Sequence, residues 1–292
     1  MINRFQLKIL MLIFMLLDHI SSFIPGAPIW FHWIGRVVAP VFFYLLVDGF
    51  LHTRSKENYI KRMLIAAEIM FIGNTILAFV FPKIVNEGKV LGVGQINIQN
   101  TNYYWITLAI IIGIAIYTII TYKIKNLSSG VAVTGAILII LADVYIQKMF
   151  PGKFFLYNNI FLSMALSLIM IKGYEQYKEG KPVKGLWFFI LALMLSYRTE
   201  GMAIAPLMTI IFYLFRDRKR MQYLAYAGLS ASFMLGLTNA QLIERPQWMM
   251  IFALVFIYLY NDKKGKDYRY IFYVFYPVHI WILYIINYYM IK

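Results

Sequence analysis

Long apolar stretches, interrupted by short polar and basic connectors, fill nearly the whole chain of 292 residues. A helix needs roughly 17–25 mainly apolar residues to cross the hydrocarbon core of a bilayer. By that measure the pattern predicts an all-α, polytopic bundle of about 11 transmembrane helices, forming a single domain over residues 1–292. The predicted spans are 7–24, 29–51, 60–81, 104–122, 127–147, 154–172, 185–198, 201–215, 221–239, 247–260 and 270–291. The short stretches 185–198 and 201–215 could form two spans or one re-entrant unit.

The basic residues predict how these spans are oriented. If the N-terminus lies in the cytoplasm and the spans alternate, 20 of the 28 Lys and Arg residues fall in cytoplasmic segments and seven fall outside. Arg36 lies within a span. Because cytoplasmic loops of membrane proteins carry an excess of Lys and Arg, this split predicts a multi-pass protein of the cytoplasmic membrane, with its N-terminus inside and its C-terminus outside.

Composition excludes several other classes of protein. Hydrophobic residues make up 61% of the chain and charged residues 14%, a balance typical of polytopic membrane proteins. The basic loops explain the net charge of +15, so we expect the lipid bilayer as a partner and no nucleic acid. Cysteine is absent and the four histidines lack HExxH spacing, so no metal is expected. The sequence contains no P-loop and no Gly-x-Ser-x-Gly elbow.

Asp18 and His19 are ionisable residues inside the first predicted span. A carboxylate at bilayer depth costs at least about 2.5–3.5 kcal/mol, so such residues usually face a polar interior and have a function there. With a rise of about 1.5 Å per residue, Arg36 in the second span reaches a similar depth. Neighbours on a helix point about 100° apart, so we expect Asp18 to pair with Arg36 while His19 faces a substrate. The alternative is a structural ion pair beside a buried, hydrogen-bonded histidine.

Other polar residues extend from the inner surface to the outer half of the predicted bundle. Asp48 and His52 lie four residues apart at the inner end of the second span, and so on one helix face. His279 falls near the midplane of the last span, and Glu200 lies near the outer end of its segment. This distribution suggests a path across the membrane or a site reached from both sides. For Glu68, in the third span, a structural role is the better interpretation.

Short motifs in a fixed order resemble the TraX family over nearly the whole chain. The motifs are 16–20 (LLDHI), 34–36 (IGR), 39–42 (APVF), 49–54 (GFLHTR), 157–161 (YNNIF), 258–261 (YLYN) and 273–279 (YVFYPVH). TraX is the pilin N-acetylase of conjugative plasmids, and its family resembles the wider group of membrane acyltransferases that take acetyl groups from cytoplasmic acetyl-CoA. The resemblance implies an integral membrane acyltransferase with acetyl-CoA as its acyl donor.

The resemblance also implies roles for individual residues. His19 matches the catalytic histidine, Asp18 and Arg36 match its neighbours, and His279 matches the late Tyr-Pro-x-His motif. Acyl transfer needs a base for the proton of the acceptor and hydrogen-bond donors for the oxyanion. A neutral histidine suits the first role near pH 7, and Arg36 or Tyr276 could fill the second.

Binding residues for the two substrates follow from the same interpretation. A basic inner edge could hold the phosphates of the acyl-CoA, although an ordinary positive-inside loop would have the same composition. The residues of that edge are His52, Arg54, Lys61 and Arg62, and Tyr276 is a further candidate contact of the acyl-CoA. The candidate contacts of the acceptor are Asn158, Asn159 and Glu200.

The acceptor and the class of function have alternatives. The expected acceptor is an amine, such as the N-terminus of an exported peptide or protein. O-acetylation of an envelope glycan or lipid is the alternative acceptor chemistry. A secondary transporter also places charges inside the membrane, but should more often show broken helices in two related halves. An assembly or scaffold protein with buried ion pairs is the third possibility.

Overall fold

The computed structural model describes residues 1–81, 102–125, 128–149, 159–266 and 268–291. Every regular element within these residues is a helix, which confirms the predicted all-α fold. In chain order they are α1 (Arg4–Phe23), α2 (Trp30–Gly35), α3 (Val38–Leu51), α4 (Lys56–Val80), α5 (Asn102–Lys123), α6 (Ser129–Met149), α7 (Ile160–Lys178), α8 (Pro182–Ser196), α9 (Ile204–Leu214), α10 (Lys219–Ser232), α11 (Asn239–Glu244), a 3-10 helix (Pro246–Phe252), α12 (Ala253–Leu259) and α13 (Arg269–Ile291).

The chain divides into two compact units, which are described separately below. The first unit comprises Met1–His52 and Leu207–Lys292, and the second comprises Thr53–Pro206. In the first unit α1 packs against α2, α3 and α13, and α2 packs against the 3-10 helix. The N-terminal and C-terminal parts of the sequence therefore build one helical unit together.

The first helix places His19 on its buried face. The helix begins with a capping box, in which the side chains of Asn3 and Gln6 each accept a hydrogen bond from the backbone N–H of the other residue. Side chains four residues apart then form one buried stripe, made of Leu7, Met11, Met15 and His19. His19 is thus the last member of an otherwise apolar stripe that faces the interior of the first unit.

The second predicted span is two helices, α2 and α3, separated at Arg36 and Val37. Gly35 ends α2 directly against the carboxyl group of Asp18, where an added Cβ atom would overlap the side chain. This close approach requires glycine and sets the distance between α1 and the end of α2. The break also frees Arg36 from a continuous helix, so its side chain can turn toward Asp18.

Two later stretches differ from the predicted helices. The stretch 221–239 is helical only as far as Ser232 in α10, and Gly236 then adopts a φ of 74°, which favours glycine. The stretch 247–260 is a 3-10 helix that begins at Pro246 and continues into α12. A hydropathy window detects neither kind of break, because the residues on both sides of it are apolar.

In the second unit α4 packs against α5, α6 and α7, and α7 packs along most of α8. The α7–α8 contact depends on Gly173 and Gly185, where an added Cβ would approach the backbone of the facing helix to within 2.8 Å or less. Small residues allow helices to approach this closely in membrane proteins. A short connection joins these two helices, so they form an antiparallel hairpin.

Five helical segments in the described part of the chain are long and apolar enough to cross a membrane. They are Arg4–Phe23, Trp30–Leu51, Trp105–Lys123, Ser129–Ile146 and Tyr270–Met290. Three shorter apolar helical segments are Pro182–Ser196, Ile204–Leu214 and Pro246–Leu259. The chain is therefore an integral membrane protein by length and composition of its helices, while the count of about 11 spans and their orientation stay predictions. The short stretches 185–198 and 201–215 form the separate helices α8 and α9.

Candidate functional site

Two histidines from opposite ends of the sequence meet inside the first unit. His19 on α1 and His279 on α13 lie with the Nδ1 atom of the first 2.6 Å from the Nε2 atom of the second. The Nδ1 atom of His279 lies 2.6 Å from the carbonyl oxygen of Phe275, one helical turn earlier. Both rings are almost fully buried, with 9% of His19 and 6% of His279 exposed. The pair joins two residues that are 260 positions apart.

The hydrogen-bond chain fixes which nitrogens carry protons. A carbonyl oxygen only accepts, so the Nδ1–H of His279 must donate to Phe275. In a neutral imidazole the other nitrogen is then an acceptor, so His279 Nε2 accepts a hydrogen bond from the Nδ1–H of His19. The Nε2 atom of His19 is consequently left with its lone pair. Such a nitrogen is a base, and His279 holds it in that tautomer.

Aromatic rings surround this histidine pair. The ring of Tyr276 lies 6.1 Å from that of His19 and 5.8 Å from that of His279, with an edge-to-face arrangement in both cases. The ring of Phe275 stacks on His279 at a distance of 4.7 Å. Packing on several sides restricts rotation of both imidazoles, which maintains the direction of the free Nε2 atom of His19.

Asp18 makes its contacts away from His19, as the sequence predicted. Its Oδ1 and Oδ2 atoms both lie 3.1 Å from the Nη2 atom of Arg36. The Oδ1 atom also lies 2.7 Å from the Nδ1 atom of His32 on α2. The predicted Asp18–Arg36 pair is therefore present, and His32 is a third member that the sequence reasoning did not include. A signal existed, since His32 lies four residues before Arg36, on the same helix face.

All three nitrogens of the Arg36 guanidinium are engaged within the protein. Nε donates to the carbonyl oxygen of His32 at 3.3 Å, and Nη1 donates to the Oε1 atom of Gln247 at 3.2 Å. The third nitrogen, Nη2, donates to Asp18. Arg36 therefore holds α1, α2 and the 3-10 helix together. Arg36 and Tyr276 were both suggested as donors to the oxyanion, and of these two residues only Tyr276 packs against the histidine pair. No motif in the sequence indicated Gln247.

A second polar cluster of the first unit contains Asp48 and His52. The Asp48 carboxylate accepts hydrogen bonds from Arg4 and, at 3.1 Å, from the Tyr260 hydroxyl. The Nδ1 atom of His52 lies 3.0 Å from Asp48 Oδ1, with 73% of the His52 side chain exposed. Asp48 and His52 were predicted to share a helix face, and their side chains are in direct contact. Because most of the His52 side chain is exposed, it remains available to a ligand.

The other basic residues suggested for acyl-CoA lie in the second unit. Arg54 is exposed. Lys61 donates from Nζ to the carbonyl oxygens of Tyr122 at 2.8 Å and Ile124 at 2.5 Å, so it stabilises the C-terminal end of α5. The guanidinium of Arg62 lies 5.2 Å above the ring of Tyr59. Lys61 therefore has a structural role that the sequence pattern did not reveal.

The residues suggested for the acceptor have different environments. Asn159 is fully buried and caps α7, accepting from the Leu162 N–H and donating to the Ala67 carbonyl at 2.9 Å. This cap accounts for Asn159 without a substrate. Glu200 is half-buried in the turn between α8 and α9. The neighbouring candidate, Asn158, lies outside the described residues.

Together, the fold and the site define an all-helical integral membrane protein whose N-terminal and C-terminal spans hold a buried, hydrogen-bonded histidine pair. The sequence matches the family model described as "TraX protein" over residues 3–148 and 138–287. The chain belongs to the TraX family. It is also 24% identical to the probable fimbrial assembly protein FimC, serogroup H1, of Dichelobacter nodosus, over 96% of this chain and 94% of that protein. No solved structure matches the chain.

Proposed function

We propose that this protein is an acyltransferase of the cytoplasmic membrane. It transfers an acyl group, most simply acetyl, from cytoplasmic acyl-CoA to an amine of an exported peptide or protein. The observation that carries the proposal is the Nε2 atom of His19, a buried base oriented by His279. Membership of a family associated with pilin acetylation supports the same reaction. The similarity to a probable fimbrial assembly protein favours a pilus subunit as the acceptor.

In the proposed reaction the neutral nitrogen of the acceptor attacks the carbonyl carbon of the thioester. The Nε2 atom of His19 takes the N–H proton of the tetrahedral intermediate, while the Tyr276 hydroxyl donates to its oxyanion. The C–S bond then breaks, and the departing thiolate takes the proton from His19. The products are an amide and a thiol. His279 touches neither substrate, so it is a positioning residue that keeps His19 in the tautomer with a free Nε2.

The donor and the acceptor approach His19 from opposite sides in this proposal. Arg4 begins α1 and His19 lies 15 residues later, a distance of about 22 Å along the helix. The pantetheine arm of the donor is long, so the phosphates can bind near the start of α1 while the thioester reaches His19. His52 and Arg54 are the exposed basic residues proposed for the phosphates, because Lys61 already binds the end of α5.

The experiment that tests this function uses the purified protein in nanodiscs with acetyl-CoA and a peptide that has a free α-amino group. Acetyl transfer should appear both as thiol release and as acetylated peptide in mass spectrometry. His19→Gln should reduce the rate by about 10²–10⁴, the usual contribution of a general base. Ser22→Ala is the matched control, because Ser22 is an exposed residue of the same helix whose hydroxyl bonds only to a carbonyl oxygen.

The proposal is contradicted if the wild type releases no thiol. It is also contradicted if the wild type and the His19→Gln protein release thiol at the same rate. Mass spectrometry of a deletion strain then identifies the acceptor. Loss of acetyl groups from exported peptides supports N-acetylation, whereas loss from envelope glycans or lipids supports the hydroxyl alternative.

A further inference from the structure

A second histidine of the first unit is arranged as a base, and the reaction step described above does not use it. The Nδ1 atom of His32 lies 2.7 Å from Asp18 Oδ1. An ionised carboxylate only accepts hydrogen bonds, so His32 donates from Nδ1 and its Nε2 atom is left to accept a proton. Its side chain is 36% exposed, whereas only 9% of His19 is exposed. His32 therefore combines a carboxylate partner with access to water.

This Asp18–His32 pair is held in place by several contacts. Arg36 binds both oxygens of Asp18 and also donates to the backbone carbonyl of His32. Gly35 lies so close to Asp18 that no side chain fits between them. Gln247 binds the remaining nitrogen of the guanidinium. Asp18 is thus directed at His32 by the packing of α2 on α1.

Transfer of an acyl group to an α-amine requires two proton removals, and this second histidine supplies a site for one of them. An α-amino group has a pKa of about 7.7–8.0, so it arrives mainly as an ammonium ion at neutral pH. An ammonium ion has no lone pair and cannot attack a thioester. It must lose one proton before the attack, and the tetrahedral intermediate loses another afterwards. The single free nitrogen of His19 accepts one proton at a time.

We propose that His32 is a catalytic residue that removes the first proton from the acceptor ammonium. This inference rests on the proposed acyl transfer to an amine. The Nε2 atom of His32 takes a proton from the ammonium, and the resulting imidazolium is paired with the Asp18 carboxylate. His32 then releases this proton to water. The neutral amine forms the C–N bond, and His19 takes the second proton from the tetrahedral intermediate. The C–S bond then breaks, and His19 passes that proton to the thiolate. The sum is one amide, one thiol and one released proton.

The charged and titratable groups near His32 are consistent with this role. On α1 they are Asp18, which stabilises the imidazolium, and His19, which is neutral in the hydrogen-bond chain described above. Arg36 follows α2, and its Nη2 atom lies 3.3 Å from His32 Nδ1 and donates to both oxygens of Asp18. The 3-10 helix contributes uncharged Gln247. On α3, which also packs against α2, the described titratable side chains are Tyr44, which accepts a hydrogen bond from Lys219, and Asp48, which binds Arg4.

The test measures how His32→Gln changes acetyl transfer at about pH 7 and about pH 9, using acetyl-CoA and the same α-amino peptide in nanodiscs. Roughly 10–20% of the α-amine is neutral at the lower pH and about 90% at the higher pH. The variant should therefore lose about 5–10-fold in rate at pH 7 and stay within about twofold of the wild type at pH 9. Activity at pH 9 shows at the same time that the variant is folded. His19→Gln, the matched control, should be impaired at both pH values.

An arylamine acceptor provides the second arm, because its nitrogen is unprotonated at both pH values. With that acceptor His32→Gln should match the wild type at pH 7 as well as at pH 9. An equal deficit at both pH values, a deficit with the arylamine, or no deficit anywhere would overturn the assignment of His32. Wild-type transfer at pH 9 tests the proposed function itself, so the two failures are distinguishable: an inactive wild type removes both proposals, whereas an active wild type with an unaffected variant removes only this one.

Discussion

Replacing His279 separates positioning of the base from the chemistry that the base performs. His279→Leu fills the buried site with an apolar side chain of similar volume. The substitution removes the acceptor for the Nδ1–H of His19. An unsatisfied buried donor costs about 1–3 kcal/mol. His19 can avoid that cost by rotating or by moving its proton to Nε2, and either change removes the free base. Since about 1.4 kcal/mol corresponds to a factor of ten, the kcat should fall by about 5–150-fold.

His279→Gln is the informative partner of this variant. A glutamine side chain has both a donor and an acceptor, so it can in principle donate to the Phe275 carbonyl and accept from His19. We expect it to recover at least part of the kcat that the leucine variant loses. The KM values for acetyl-CoA and for the peptide should change little in both variants, because His279 touches neither substrate.

The assay is the steady-state rate of thiol release in nanodiscs, with the thermal unfolding midpoint measured on the same samples. If His279→Leu keeps the wild-type kcat, the hydrogen bond does not position the base. If the His279→Leu and His279→Gln variants lower the kcat equally while the unfolding midpoint is unchanged, the loss of kcat must come from another property of the imidazole. Either result would refute the argument from tautomers.

The remaining predictions concern residues of the second unit. Lys61→Met should lower the unfolding midpoint, because Lys61 caps α5, and should leave the acetyl-CoA affinity within about twofold of the wild type. Arg54→Gln should weaken acetyl-CoA binding, and the loss should be larger at low salt than at high salt. Gly185→Ala should destabilise the second unit by about 1–3 kcal/mol, since its Cβ meets the backbone of α7, and an unchanged denaturation curve would contradict the close α7–α8 packing.

The candidate site was predictable where local rules apply. The depth of Asp18 and Arg36 follows from the helical rise, and their pairing follows from the cost of a lone charge in an apolar medium. The contact of Asp48 with His52 follows from their spacing of four residues. The same rule could have identified His32 beside Arg36, had it been applied to the short helix α2. Each of these inferences uses residues that are close in sequence or on consecutive helices.

Other parts of the site depend on distances and rotations that no local rule gives. Hydropathy does not distinguish Lys61, which caps a helix, from Arg54, which is exposed. It does not separate the helix break at Arg36 from a continuous span, because the apolar residues continue through the break. The cap made by Asn159 depends on the carbonyl of Ala67, which belongs to another helix. In each case the partner is selected by packing between helices.

The amino-acid sequence by itself determined that this is an all-helical membrane protein, because an apolar run in a bilayer must satisfy its own backbone hydrogen bonds as a helix. It also determined that Asp18 needs a cationic partner. Only the tertiary structure decided that His19 on the first helix meets His279 on the last, and that Asp18 orients His32. The physical reason is that a residue's helix face is set locally, whereas the face it meets depends on how distant helices rotate and pack against each other.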